Sequence, residues 1–303
     1  MDTVIQVNGL SHSYGKKKAL DNVSFEVKKG RVFGLVGENG AGKTTLIKHL
    51  LGSLCPDEGT VTLFGKEPTT DPAYTLEKIG YLSEDRDLPL WMRVRELMGY
   101  TQAFYPDWDE EFAQQLLKQF RLSPNSKIKN LSRGEKARAG LLMALAHRPE
   151  LLLLDEPSSG LDAVSRNDIL TGVVRAVAVE GRTVVFSSHL LDEVERVVDD
   201  VAMFSEGKLE LIMSMEDLRE KHQRRVVELP EGLERLPAMD CVLHSQGEGR
   251  EWSIVTYGDK EATRRELEEV EARILEESVP SLNTVFIARL SASHDAQNTI
   301  QSA

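Results

Sequence analysis

The chain is poor in cysteine: among 303 residues there are only Cys55 and Cys241. Two thiols without metal-ligand spacing exclude a disulfide scaffold or a zinc-stapled fold, and they suit reduced cysteines in a cytosolic setting. Long apolar runs are missing too. No stretch approaches the roughly 18 residues that span a bilayer, and "AGLLMALA" (139–146) reads as a core helix segment. The opening "MDTVIQVNGL" has neither the basic segment nor the apolar stretch of a secretory signal. Basic charge is in deficit, with 37 Lys and Arg against 49 Asp and Glu, a net charge of −12 and a sequence pI of about 5.2. That balance argues against a general nucleic-acid binder. Internal repeats and low-complexity tracts are absent from the pattern.

What is there fills about two domains. "TVIQV", "VSFEV" and "GTVTLF" alternate apolar and polar residues, as strands of an antiparallel edge sheet do. "RVFGLV", "LLLLD" and "TVVFSS" are nearly continuous apolar runs, the mark of parallel strands buried on both faces. Residues 93–147 have helical periodicity and predict a helical insertion between strands. Beyond about residue 220 the spacing predicts a small α+β unit. Its strands are "RRVVEL", "DCVLHS" and "EWSIVTY", followed by one amphipathic helix over "KEATRRELEEVEARILEE" (260–277) that carries Leu267, Val270, Ile274 and Leu275. A tail without order is expected from Ser291. The division falls into 1–222 and 223–303.

One short stretch carries chemistry. "GENGAGKTT" follows a strand and precedes "LIKHLLG", and Gly37, Gly42, Lys43 and Thr44 complete the spacing G-x-x-x-x-G-K-[ST]. In such a loop the backbone N–H groups of Asn39, Gly40, Ala41, Gly42 and Thr45 curl around a polyphosphate at a helix N-terminus. Lys43 then reaches the β- and γ-phosphates, and the Thr44 hydroxyl is a ligand for Mg²⁺. "LLLLDEP" ends a buried strand in Asp155, placed to hold Mg²⁺, and Glu156, placed to polarise an attacking water. "LSRGE" puts Ser132, Arg133, Gly134 and Glu135 at a helix start, either a capping box or a second phosphate receptor.

The order of these motifs resembles the ATP-binding subunits of ABC transporters over about residues 3–220. Gly37–Thr45 match Walker A, Leu131–Glu135 the signature, and Asp155 with Glu156 Walker B. Asp162 in "SSGLD" matches the D-loop, and His189 in "SSHLLDEVE" the switch histidine. Tyr14 matches the aromatic residue that stacks on adenine. Glu84 stands where glutamine is usual and keeps an oxygen for Mg²⁺. Arg133 stands where glycine is usual, Glu135 where glutamine is usual, and the "LSRG" variant resembles ATPases paired with export permeases.

The resemblance implies an α/β P-loop NTPase with a RecA-like core, an antiparallel edge sheet and a helical subdomain. It implies an ATPase using ATP and Mg²⁺, with Glu156 and His189 catalytic. It further implies a head-to-tail homodimer that drives a separate multi-span permease from the cytoplasmic face of the membrane, with export favoured. Leu88, Leu90, Trp91 and Met92, with the aromatics of "FYPDWD", are the expected permease dock. A soluble ABC ATPase with a regulatory or resistance role is the alternative.

Overall fold

The structure is a computed structural model describing residues 3–301, which divide into two compact units between Ile212 and Met213. The first unit begins with β1 (Thr3–Tyr14), β2 (Lys17–Lys28), β3 (Val32–Gly37), α1 (Lys43–Leu50) and β4 (Glu58–Leu63). Then come α2 (Pro72–Glu77), β5 (Ile79–Leu82), α3 (Val94–Gln102), α4 (Glu110–Gln119), α5 (Arg133–Leu145) and β6 (Leu151–Leu154). It closes with α6 (Ala163–Glu180), β7 (Thr183–Ser188), α7 (Leu191–Val194), β8 (Asp200–Ser205) and β9 (Lys208–Ser214).

Two sheets result. The alternating strands pair antiparallel in the order β2-β1-β4, and their inward residues Val7, Phe25 and Val61 meet on one face. The continuous apolar strands build a six-stranded sheet ordered β5-β6-β7-β3-β8-β9, parallel from β5 to β8. Every residue of β3, β6 and β7 is buried, as a parallel sheet covered on both faces demands. Phe25 stacks on Phe33 at 5.3 Å between ring centroids, and Leu35, Leu46, Ile47 and Leu50 join the same core cluster. The first helix is thereby clamped between the sheets, which fixes the loop before it. Residues 93–147 carry α3, α4 and α5, and α5 buries Ala137, Leu141, Leu142 and Leu145.

The second unit consists of α8 (Met215–Lys221), β10 (His222–Glu228), β11 (Val242–Glu248), β12 (Glu251–Tyr257), α9 (Lys260–Glu269), β13 (Arg273–Ser278) and α10 (Leu282–Gln301). Its sheet is antiparallel throughout, ordered β11-β12-β10-β13, over a core of Val227, Leu229, Ile254, Leu267 and Ala272.

Two expectations need correction. The division lies ten residues earlier than 222/223, because α8 and β10 pack into the second unit. The helix expected over 260–277 stops at Glu269. Ala272 N–H bonds back to the Leu267 carbonyl and Glu271 adopts a left-handed φ of 55°, a Schellman-type ending. The chain then leaves as β13, with Ile274 opposite Val227 and Leu275 exposed, so tertiary pairing overrides the helical period. Past Ser291 the backbone runs on as α10, which ends at Gln301.

Candidate active site

The central strand β3 delivers its chain into a loop that wraps the start of α1. Asn39 through Thr45 line a cleft of about 290 Å³, joined by Tyr14, Lys17, Ala19, Glu84 and Glu156. Gly42 caps α1 with φ 107°, and a Cβ there would stand 2.6 Å from the Ala19 carbonyl oxygen. Only glycine satisfies both demands. The first turn of α1 carries no acidic residue, so its free N–H groups and dipole favour an anion.

Lys43 is 5% exposed, and its Nζ donates to the carbonyls of Gly37 at 2.7 Å and Glu38 at 3.2 Å. The same ammonium pairs with Glu156 Oε1 at 3.1 Å. Glu156 Oε2 lies 2.7 Å from His189 Nδ1. One buried carboxylate therefore bridges Lys43 on the cradle and His189 at the end of β7. Its backbone has a left-handed φ of 45°, a conformation that costs a non-glycine residue about 1–3 kcal/mol and tends to persist at functional positions.

Ser187 organises the acidic pair. Its Oγ donates to Asp155 Oδ1 at 2.8 Å and accepts from Glu156 N–H at 2.8 Å. Burial pushes the Asp155 carboxyl up from its ordinary value, the neighbouring Glu156 charge adding to the rise. Hydrogen bonds from Ser187 and Thr44 and the Lys43 charge pull the other way. The Thr44 hydroxyl and Asp155 thus stand together as hard oxygen donors. Among the described residues no group of three His, Cys, Asp or Glu is disposed to hold a metal. A magnesium ion that draws most of its ligands from phosphate and water fits such a site.

The remaining candidates lie elsewhere. Ser132 caps α5, its Oγ accepting from Glu135 N–H at 3.2 Å while Glu135 Oε2 accepts from Ser132 N–H at 2.8 Å. Asp162 caps α6 by accepting from Val164 and Ser165 N–H. Gly134 is buried in the first turn of α5, whereas Arg133 is exposed. None of Ser132, Arg133, Gly134, Glu135 or Asp162 lines the cleft. Of the expected dock, Trp91 is 72% and Phe104 65% exposed, but Met92 belongs to the core. Tyr105 stacks on His147 at 3.8 Å.

Several site residues carry no advance signal. Ser187 sits in an apolar strand, and Lys17 is one of three consecutive lysines. Arg86 lies buried two residues past Glu84.

The family model described as "ABC transporter" matches residues 20–159. YtrB, an ABC transporter ATP-binding protein of Bacillus subtilis, is 27% identical over 94% of this chain and 98% of its own length. The bacitracin transport ATP-binding protein BcrA of Bacillus licheniformis is 32% identical over 74% of both chains. A solved ATP-binding subunit of an ABC transporter superposes with a TM-score of 0.66, at 27% identity, over 71% of this chain and 92% of that one. A phosphate cradle backed by a lysine, paired acids and a histidine, with relatives alike over most of their length, leads to one assignment: this chain belongs to the ABC transporter family as an ATP-binding subunit and ATPase.

Proposed function

We propose that the chain powers a separate membrane permease, as one half of a head-to-tail homodimer closed by ATP, and that the transported molecule moves outward. The observation that carries the hydrolytic part is the bridge Lys43–Glu156–His189, in which the buried pair Lys43 and Glu156 lines the cleft and the exposed His189 holds the other carboxylate oxygen. A triphosphate seated on the Gly37–Thr45 loop brings its terminal oxygens to the same ammonium that Glu156 Oε1 holds, and so competes for it. A carboxylate released from Lys43 is free to take a proton from water attacking the γ-phosphorus. His189 keeps Glu156 Oε2 in place and offers a donor toward the departing phosphate. Thr44 and Asp155, with Glu84 from the far wall, are the residues that would hold Mg²⁺. When bound, that ion neutralises charge developing on the phosphate oxygens.

The cradle covers one side of a triphosphate, and Ser132, Arg133, Gly134 and Glu135 lie outside it. Those residues suit the nucleotide of a second subunit, whose donors complete the electrostatic stabilisation. Among the described residues no helix is long and apolar enough to cross a membrane, so transport requires a partner that does. Leu90 and Trp91 just before the helical insertion, and the edge-to-face pair Tyr100–Phe104 within it, 5.1 Å between centroids, are exposed. They suit a permease segment. Export is supported by BcrA, which is named for bacitracin transport, and by relatives named for linearmycin resistance and Nod factor export.

A pull-down of the full chain from detergent-solubilised membranes tests the transport reading. Recovery of a multi-span protein supports it. A chain that hydrolyses ATP yet retains no membrane partner favours the soluble regulatory alternative.

A further inference from the structure

The turn spanning residues 157–161 links Glu156 to α6, and three separate segments grip it. Arg86 is buried, its own backbone held at a left-handed φ of 53°. Its Nη2 donates to the carbonyls of Pro157 at 3.1 Å and Ser159 at 2.7 Å. Ser158 Oγ donates to Glu193 Oε2, and Glu193 Oε1 pairs with Arg166 Nε at 2.8 Å. At the exposed tip Gly160 has φ 65°, and a Cβ there would stand 2.6 Å from Arg133 Nη1. The signature arginine therefore lies across the chain's own turn.

Two guanidinium groups serving one turn oppose each other. Burial pushes Arg86 below its ordinary value and the Arg133 charge adds to this, with Glu84 offsetting part. A buried cation with a like-charged neighbour is a poor way to gain stability. What the arrangement does achieve is geometric: it fixes the carbonyls at 157 and 159 directly after a residue whose backbone is itself left-handed. Neither arginine lines the cleft.

We propose that Arg86 and Arg133 are positioning residues for ATP hydrolysis, setting the 157–160 turn and through it the aim of the Glu156 carboxylate. Arg86 reports the segment just after Glu84, and Arg133 reports the start of α5. A shift of either segment reaches the turn through a two-point or a covering contact. The inference rests on the reading of Glu156 as the base.

Steady-state ATPase kinetics on the purified full chain test it, with affinity for a fluorescent ATP analogue and thermal melting measured alongside. Arg86→Lys keeps the charge but lacks the fork that spans two carbonyls. Its kcat is expected to fall about tenfold, with KM, analogue affinity and melting temperature near wild type. Arg133→Gly, on an exposed position, is expected to lower kcat by roughly threefold in the same pattern. A merely structural role would lower melting temperature and affinity together, and that result overturns the inference. Glu156→Gln serves as the reference. If it abolishes turnover while both arginine variants keep wild-type kcat, the inference fails and the role of Glu156 stands. If Glu156→Gln itself retains wild-type kcat, both fail. Should Arg86→Lys not fold, the kcat of Arg86→Gln, which keeps a single amide donor in place of the fork, decides.

Discussion

Acid is expected to loosen the second unit through one residue, His222. This imidazole is fully buried, 0% exposed, at the start of β10. Arg289 Nη2 donates to its Nε2 at 3.1 Å, so Nε2 must be the bare nitrogen and Nδ1–H the donor to the Leu218 carbonyl at 2.9 Å. A second proton has to land on Nε2, against a guanidinium and without water. Burial, with the Arg289 charge adding, accordingly depresses His222 from 6.5 to about 4. The unfolded chain binds that proton near 6.5 and the folded one only near 4. The stabilisation is therefore complete above 6.5, declines as pH falls through this window and is gone below about 4. Its ceiling is roughly 3 kcal/mol at about 1.4 kcal/mol per tenfold, and about 2 kcal/mol disappears between pH 7 and 5. Trp252 partly packs on the second unit's core, so replacing Trp91 and Trp108 by Phe leaves it as the fluorescent reporter. Urea melts at pH 7 and 5 give the loss directly. In His222→Gln, which still accepts from Arg289 but does not ionise, the loss should shrink by most of that amount. Equal pH dependence in the two proteins refutes the reasoning.

Other perturbations act on the cleft. Lys43→Ala removes the ammonium and leaves Glu156 Oε1 buried without its cation, Oε2 still held by His189; nucleotide affinity measured by calorimetry is expected to fall by roughly 100-fold or more, and unchanged affinity refutes the cradle. Glu156→Gln is expected to retain ATP binding while turnover drops by about 10²–10³-fold, with an ATP-stabilised dimer on size-exclusion chromatography. Full turnover by a persistent monomer contradicts both roles. Ser132→Arg should spare nucleotide binding and block dimer closure. Mixed with Lys43→Ala protein it should regain part of the activity through one intact composite site, and complete silence of the mixture counts against the head-to-tail arrangement. Gly42→Ala, which drives a Cβ toward the Ala19 carbonyl, is expected to destabilise the chain by about 1–3 kcal/mol in thermal melting and to weaken ATP binding. Wild-type behaviour in both assays argues against the tightness of the loop.

Legibility in the sequence followed the range of the forces involved. The cradle from Gly37 to Thr45 is legible because its chemistry is local: glycines, a lysine and a threonine at fixed spacing between a strand and a helix. The two sheets are legible because burial on one face or on both leaves different periods in β1 and β3. The break between α9 and β13 is not, since "EEVEARILEE" has helical spacing and only the partner strand β10 favours extension. Arg86 is invisible for a related reason. A charged residue in an acidic loop reads as solvated, and the carbonyls it binds are 71 and 73 residues away. Ser187 likewise shows its value only when β7 lies beside β6.

The sheet order also sets which parts of the site breathe. The strand feeding the phosphate loop, β3, is hydrogen-bonded on both sides, to β7 and β8, while β5, which feeds the Glu84 segment, is an edge strand bonded to β6 alone. Amides of β3 should exchange with solvent only on global unfolding, and those of β5 through cheaper local openings. The phosphate loop thus hangs from a strand that opens only with the fold, whereas the Glu84 segment hangs from one that opens locally. Displacement of the Glu84 segment therefore need not disturb the strand that carries the cradle.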